Sequence, residues 1–226
     1  MIFGKSKLYL PMKSTPPIRT YIINLEKRKD RLNHVLDQFS LYEIFDLQVF
    51  TAIEREKGSY GLWLTIRSII KNCLESKLPY VLIVEDDHTF TKDFTEQGLI
   101  EAIEIAQQNN AELLSGGVSW FDFTVKVDKG LNWINSFTGF QFIVLFNNLF
   151  TKLLETDLED HEVTDKKISS IAKKKFCVFP FFSIQTEFGY SDITKGNEES
   201  GTVSNYFINT SKRFSLINKV YDFYKR

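Results

Sequence analysis

Apolar and polar residues alternate in blocks along this chain. Ile18 to Leu25 reads IRTYIINL, a short β-rich run suited to a buried strand, and the polar stretch from Glu26 to Arg31 follows at once. Leu32, Val35, Leu36 and Phe39 then recur at helical spacing, and Phe45 to Phe50 predicts a second strand. Leu62, Ile66, Ile69, Ile70 and Leu74 share one face of a helix over Leu62–Leu74. Tyr80 to Val84 is the strongest strand signal in the chain, apolar or aromatic throughout; continuous runs of this kind suit a central strand covered on both faces.

Downstream, the pattern predicts a helix over Phe94–Gln108 and a strand over Glu112–Ser115 that stops at Gly116-Gly117. A strand over Phe140–Phe146 follows, then a helix through Leu154 and another over Val163–Lys174. Phe176 to Phe179 reads as a strand ending at Pro180, Phe181 to Gln185 as a further short strand, and Phe214 to Tyr224 as a terminal helix. Tyr190 to Asn205 is polar and reads as a loop. Strands and helices that alternate in this way predict an α/β sandwich with a largely parallel central sheet. At 226 residues the expectation is a single domain over 18–226, preceded by an arm over 1–17 that ends in Pro16-Pro17.

Composition changes this picture little. Phe is abundant, at 21 residues, and most are expected in the core, although Phe181-Phe182 would also suit an aromatic floor for a ring-shaped ligand. A net charge of −1 lacks the basic footprint of a nucleic-acid protein. Cys73 and Cys177 have neither metal-type spacing nor a disulfide framework and read as buried thiols. Lys173-Lys174-Lys175 reads as a solvated helix end. No stretch reaches the length of a membrane span, which leaves room only for peripheral association. The N-terminal stretch has no apolar region followed by a small-residue cleavage site, so no signal peptide is expected and the expected location is cytoplasmic.

The candidate chemistry lies in Glu85-Asp86-Asp87, directly after the Val81–Val84 strand. Adjacent carboxylates repel one another, and a cation compensates them. Ligands of open α/β sheets bind at the carboxyl ends of strands. Mg²⁺ and Mn²⁺ commonly bridge carboxylates to substrate phosphates, and a cation that neutralises a diphosphate leaving group acts as a Lewis acid. A nucleotide-diphosphate-dependent transfer fits this chemistry; the bland alternative is a triplet that merely leaves the strand and caps a turn. Arg28 and Arg31 suit diphosphate oxygens, against the alternative of a solvated first helical turn.

Several segments resemble glycosyltransferase family 25, the lipopolysaccharide and lipooligosaccharide sugar transferases. The likeness begins at Tyr21-Ile22-Ile23-Asn24-Leu25 with Arg28, Asp30 and Arg31. It continues through Gly61 to Leu78-Pro79-Tyr80-Val81-Leu82-Ile83-Val84-Glu85-Asp86-Asp87. Thr138-Gly139-Phe140-Gln141-Phe142-Ile143 and Val178-Phe179-Pro180-Phe181-Phe182-Ser183-Ile184-Gln185 complete it, over roughly residues 18 to 195. Many members carry a Ser-His pair in the helix before the acidic strand; Gly61-Leu62-Trp63-Leu64-Thr65 has no histidine, so the chain is similar to a divergent branch.

The resemblance implies a GT-A-type, Rossmann-like sandwich that binds Mn²⁺ or Mg²⁺. The implied reaction moves galactose or glucose from a UDP-sugar to a saccharide or glycolipid acceptor with inversion, in surface-glycan or lipopolysaccharide assembly. It places the donor against Asn24, Leu25, Arg28, Arg31, Glu85, Asp86 and Gln185, with Asp87 and Asp86 as metal ligands and Glu85 toward the ribose. Asp165 matches an aspartate of the family's later segment and is the base candidate; Asp160, His161 and Asp122 compete with it. Tyr190, Ser191 and Asp192 open a loop suited to folding over the donor. His88 is expected to point away from the triplet, and Trp63, Trp120 and Trp133 to lie in the core, with Trp120 also suited to stacking on an acceptor sugar. Two other readings keep the same fold: a nucleotidyltransferase, and a catalytically silent glycan- or nucleotide-binding domain.

Overall fold

A computed structural model describes residues 16–189 and 200–225 of the chain. The first units are β1 (Ile18–Asn24), α1 (Lys29–Phe39), β2 (Phe45–Thr51), α2 (Gly58–Glu75) and β3 (Tyr80–Glu85). They are followed by β4 (His88–Phe90), α3 (Glu96–Gln108), β5 (Leu113–Ser115), β6 (Trp120–Phe121), β7 (Thr124–Asp128), β8 (Leu131–Ile134) and β9 (Phe137–Thr138). The chain ends with β10 (Phe142–Phe146), α4 (Asn147–Glu155), α5 (Thr164–Ile171), β11 (Lys175–Val178), β12 (Ser183–Gln185) and α6 (Thr202–Tyr224).

An eight-stranded sheet runs in the order β2-β1-β3-β10-β5-β11-β8-β7. Strands β2, β1, β3, β5, β11 and β7 point one way, while β10 and β8 are reversed. The sheet is therefore mixed but mostly unidirectional, as the alternation of elements predicts. Both faces are covered, which explains the unbroken apolar run of β3. Val81 and Ile83 pack into one core with α2, α4, α5 and α6 residues such as Ile66, Phe150, Ile168 and Phe214. Leu82 and Val84 face a second core built with Val35 and Phe39 of α1 and Leu99 and Ile103 of α3.

Two small ladders sit beyond the main sheet. Strand β4 pairs with β12, and β6 with β9. The alternation of Thr124–Asp128 and the Asp128-Lys129-Gly130 turn, with Gly130 at φ +72°, close an edge hairpin of β7 and β8 that the sequence reading missed. Gly61 has a different role: a Cβ there would lie 2.3 Å from the Ile53 carbonyl, so only glycine lets α2 approach that strand exit.

The structure corrects some boundaries. Helix α5 stops at Ile171, so Lys173-Lys174-Lys175 is not a helix end. Lys175 lies buried in β11, its ammonium donating to the Ala172 carbonyl at 2.7 Å, and only Lys173 and Lys174 are exposed. Helix α6 begins at Thr202 rather than Phe214, because Val203, Phe207 and Thr210 extend its buried stripe backwards. Residues 1–15 of the expected arm over 1–17 and the loop residues Tyr190, Ser191 and Asp192 lie outside the described residues. Cys73 and Cys177 are buried, and burial pushes the Cys73 thiol up to about 12 and raises Cys177 as well. Trp63 is core, whereas Trp120 is 43% exposed. Among the described residues, no helix is long and apolar enough to cross a membrane.

His88 points away from the acidic turn. It is sealed among Phe39, Phe90 and Phe142, with Nδ1 2.7 Å from Ser183 Oγ. Burial lowers its pKa to about 3 from 6.5. The folded protein then binds fewer protons than the unfolded chain below pH 6.5, so this contribution to stability is present above 6.5 and lost as pH falls toward 3. Replacing His88 by Asn removes the titration. The difference in unfolding free energy between wild type and His88→Asn should shrink by about 1.4 kcal/mol per pH unit below 6.5, measured by urea denaturation from pH 7 to pH 5.

Candidate active site

The parallel pairing of β1 with β3 sets Ile23 opposite Glu85, so both strands end at the same edge of the sheet. Asn24, the last residue of β1, is buried there; its amide donates to Asp86 Oδ2 at 2.8 Å and to the Arg28 carbonyl at 3.1 Å. Arg31 on the first turns of α1 reaches the same place from the opposite side. Its Nη1 lies 3.4 Å from Asp86 Oδ1 and 3.9 Å from Asp87 Oδ2, and the ring of Phe188 covers the guanidinium at 4.7 Å. Both oxygens of Asp86 are thereby engaged within the protein. Asp87 differs: its Oδ1 is buried without a hydrogen-bond partner. The Asp87 carbonyl accepts from the Thr186 amide at 2.7 Å, which ties the acidic turn to the segment that follows β12.

These residues border a cleft of about 830 Å³. Leu25, Arg28, Arg31, Glu85, Asp86, Asp87, Asp165 and Gln185 all line it, and Asn24 stands behind Asp86. Asp165 comes from the first turn of α5. A clasp of buried hydroxyls fixes that turn against the start of α2: the Thr164 amide donates to Ser59 Oγ at 2.8 Å and Thr164 Oγ1 to the Ser59 carbonyl at 2.5 Å. The Gly139 amide in turn donates to Asp165 Oδ2 at 2.9 Å. The competing base candidates do not line the cleft. Asp122 is held by the amides of Phe123 and Ser136 and by Asn135, and His161 pairs with Glu159 in an exposed loop beside Asp160. Nothing in the sequence pattern marked Ser59 and Thr164 as the support of Asp165, because the two hydroxyls are 105 positions apart.

Electrostatics sets this cleft apart. Burial raises the pKa of Glu85 well above the usual range, and the charges of Asp87, Asp165 and Asp86 push it further, against Arg31. Burial and then Asp86 carry Asp87 up to about 7, opposed by Arg31 and Arg28. Burial also raises Asp86 and Asp165, the first opposed by Arg31 and Arg28, the second by the Gly139 amide. Four carboxylates therefore share one cleft with too little positive charge to ionise all of them easily. Among the described residues, no group of three or more His, Cys, Asp or Glu side chains is set to hold a metal ion by itself.

No family model and no curated protein sequence matches the chain. The resemblance to glycosyltransferase family 25 thus rests on its motif segments alone. Three solved structures have similar folds at low identity. A197 from STIV has a TM-score of 0.48 at 8% identity, over 78% of this chain and 87% of that one. A glycosyltransferase involved in the glycosylation of the major capsid of PBCV-1 gives 0.46 at 7% identity, over 73% and 83%. An apo UDP-glucose pyrophosphorylase gives 0.42 at 10% identity, over 87% and 82%. Likeness at this level concerns the general α/β layout and leaves the chemistry to the cleft itself.

The raised pKa of Asp87 has a definite sign for stability. Its neutral form is favoured in the folded protein, so its contribution is present below the ordinary value of 3.8 and lost as pH rises through about 7. Asp87→Asn imitates the neutral form. In EDTA the variant should gain stability relative to wild type as pH rises from 4 to 7, at up to about 1.4 kcal/mol per unit, in urea denaturation. A stability difference between the two proteins that stays constant from pH 4 to pH 8 would contradict this account.

Proposed function

We propose that the protein is a metal-dependent glycosyltransferase of the GT-A type that moves a hexose, galactose or glucose, from a UDP-sugar to a saccharide acceptor with inversion. The observation that carries this reading is the meeting of Glu85, Asp86 and Asp87 at the carboxyl end of β3 with Asp165 in one cleft. The segments resembling glycosyltransferase family 25 supply the donor class, and surface-glycan assembly is the setting that goes with it.

The donor set fits a hard cation. Asp87 offers a buried oxygen without a partner, while Asp86 is already held by Asn24 and Arg31, so Asp87 would be the principal ligand and Asp86 the secondary one. Carboxylates together with substrate phosphates are the usual ligands of Mg²⁺ or Mn²⁺, so Asp87 and Asp86 would hold the cation together with a phosphate-bearing substrate. When bound, the cation neutralises charge that develops on the departing diphosphate. The residues of the chain do the rest. Leu25 and Glu85 border the nucleoside, with Glu85 toward the ribose. Arg28 and Gln185 face the diphosphate, and Arg31 holds Asp86 and Asp87 in place.

For the transfer itself, an acceptor hydroxyl attacks the anomeric carbon from the face opposite the diphosphate. The new glycosidic C–O bond forms as the sugar–phosphate bond breaks, UDP leaves, and the Asp165 carboxylate takes the hydroxyl proton. Burial raises the basicity of Asp165, which suits that role once the nearby carboxylates are neutralised. A nearby aspartate with a lower proton affinity would be a poorer base.

Calorimetric titration of UDP tests this reading. Wild type should bind UDP with Mn²⁺ at least about tenfold more tightly than in EDTA, and Asp87→Ala should abolish the difference. Asp165→Asn should keep that binding while losing at least about a hundredfold in transfer rate across a panel of UDP-hexoses. Absence of Mn²⁺-dependent UDP binding by wild type would refute the transferase. Binding without UDP release from any hexose donor would favour a silent nucleotide-binding domain.

A further inference from the structure

Trp120 is the one tryptophan of the three that is classed as exposed, at 43%, and it lines the cleft. An indole left open inside a cleft exposes a wide apolar face at a cost in hydration that burial would have removed. Its surroundings hold it rigid. Trp120 in β6 pairs with Thr138 in β9, the Ser119 amide donates to the Thr138 carbonyl at 2.9 Å, and the two hydroxyls of Ser119 and Thr138 lie 3.0 Å apart. The Lys166 ammonium stands 3.4 Å from the centre of the ring. Trp120 lines the cleft and Lys166 does not, so the cation supports the ring from outside the set of cleft residues.

The same strand pair fixes the base. Gly139 follows Thr138 directly and gives its amide to Asp165, and its φ of +105° is a conformation that favours glycine. A Cβ at Gly139 would also lie 2.9 Å from the Ser119 nitrogen. Trp120 and Asp165 are therefore held in register by three consecutive links: β6 to β9, Thr138 to Gly139, Gly139 to Asp165. A second open aromatic, Tyr206, 47% exposed, reaches the cleft from α6. The first turn of that helix is anchored by Glu187, which accepts from the amides of Gly201 at 2.6 Å and Ser204 at 2.8 Å.

We propose that Trp120 and Tyr206 form the platform for the pyranose ring of the acceptor saccharide and so determine acceptor specificity. The inference rests on the transferase reading and deepens it. A pyranose presents an apolar C–H face and a polar hydroxyl rim. The indole takes the first, while the hydroxyls of Ser119 and Thr138 and the carboxylate of Asp165 meet the second. The reacting hydroxyl is then the one presented to Asp165, which lines the same cleft.

Saturation-transfer NMR with lactose and cellobiose as probes tests the platform. In wild type the sugar C–H protons should receive saturation. Trp120→Ala should weaken the affinity at least about tenfold, and Trp120→Phe should restore part of it. Phe123→Ala, which removes an exposed aromatic outside the cleft, should change nothing. Thermal unfolding midpoints show that each variant is folded. No saturation in wild type with either sugar, or equal affinity in Trp120→Ala, overturns the platform. The two readings fail separately: UDP binding with saccharide contacts indifferent to Trp120 removes the platform alone, and Trp120-dependent saccharide binding without UDP binding removes the transferase alone.

Discussion

Asn24 and Asp86 are joined by a 2.8 Å hydrogen bond between two side chains almost sealed from solvent, and the whole cleft is arranged around that bond. It exists because β1 and β3 are adjacent and parallel, with Ile23 opposite Glu85, so the two strands deliver their terminal residues to one point. A buried carboxylate needs hydrogen bonds and a counter-charge, since breaking such a partnership typically costs about 3–5 kcal/mol. Asp86 receives both, from Asn24 and Arg31. Its neighbours do not. Once Arg31 is committed to Asp86, it reaches Asp87 only at 3.9 Å, and Glu85 and Asp87 remain under-neutralised.

That asymmetry gives the three adjacent acids different parts. Asp86 organises the turn, whereas Asp87 retains an unpaired oxygen and an affinity for a proton near neutrality. A structure optimised for stability alone would replace such groups with apolar or amide side chains. The strain of uncompensated charge is localised at the end of a strand whose interior is buried on both faces, and that packing of β3 prevents it from relaxing. Charged groups kept in that condition are typical of sites that wait for a ligand of opposite sign.

Much of this was legible in the sequence, for physical reasons. Strands β1 and β3 are nearly continuous apolar runs and β2 alternates apolar and polar residues, all with local connections, so period and composition suffice to find them. The acidic triplet and its place at a strand end were equally plain. By contrast, β6, β7, β8 and β9 are short or lie near the sheet edge, with Val125 and Val127 exposed, so their apolar runs are too brief to stand out by period. The backward extension of α6 to Thr202 was hidden because Asn205, Asn209 and Ser204 dilute its apolar stripe. Residues brought in by tertiary packing leave no local trace: Ser59 with Thr164, and Tyr206 in the cleft that Trp120 also lines, have meaning only once α2, α5 and α6 are in place.

The two sides of the cleft differ in how they are built, and this bears on how its chemistry can change. Asn24, Arg28, Arg31 and the acidic turn come from consecutive β-α units that pair in parallel, each depending on the others through buried contacts. Trp120, Thr138 and Gly139 belong to a two-stranded ladder between β5 and β10, and Tyr206 to a helix far along the chain. Changes in that ladder leave the registers of β1, β2 and β3 untouched, while changes at Asn24 or Arg31 expose Asp86 to the full cost of an unpaired buried charge. The Trp120 side is therefore free to vary within one fold, but the carboxylate end is constrained as a unit. Asp165 stands at the junction, bonded to Gly139 of one side and raising the pKa of Glu85 on the other, so a change on either side reaches it.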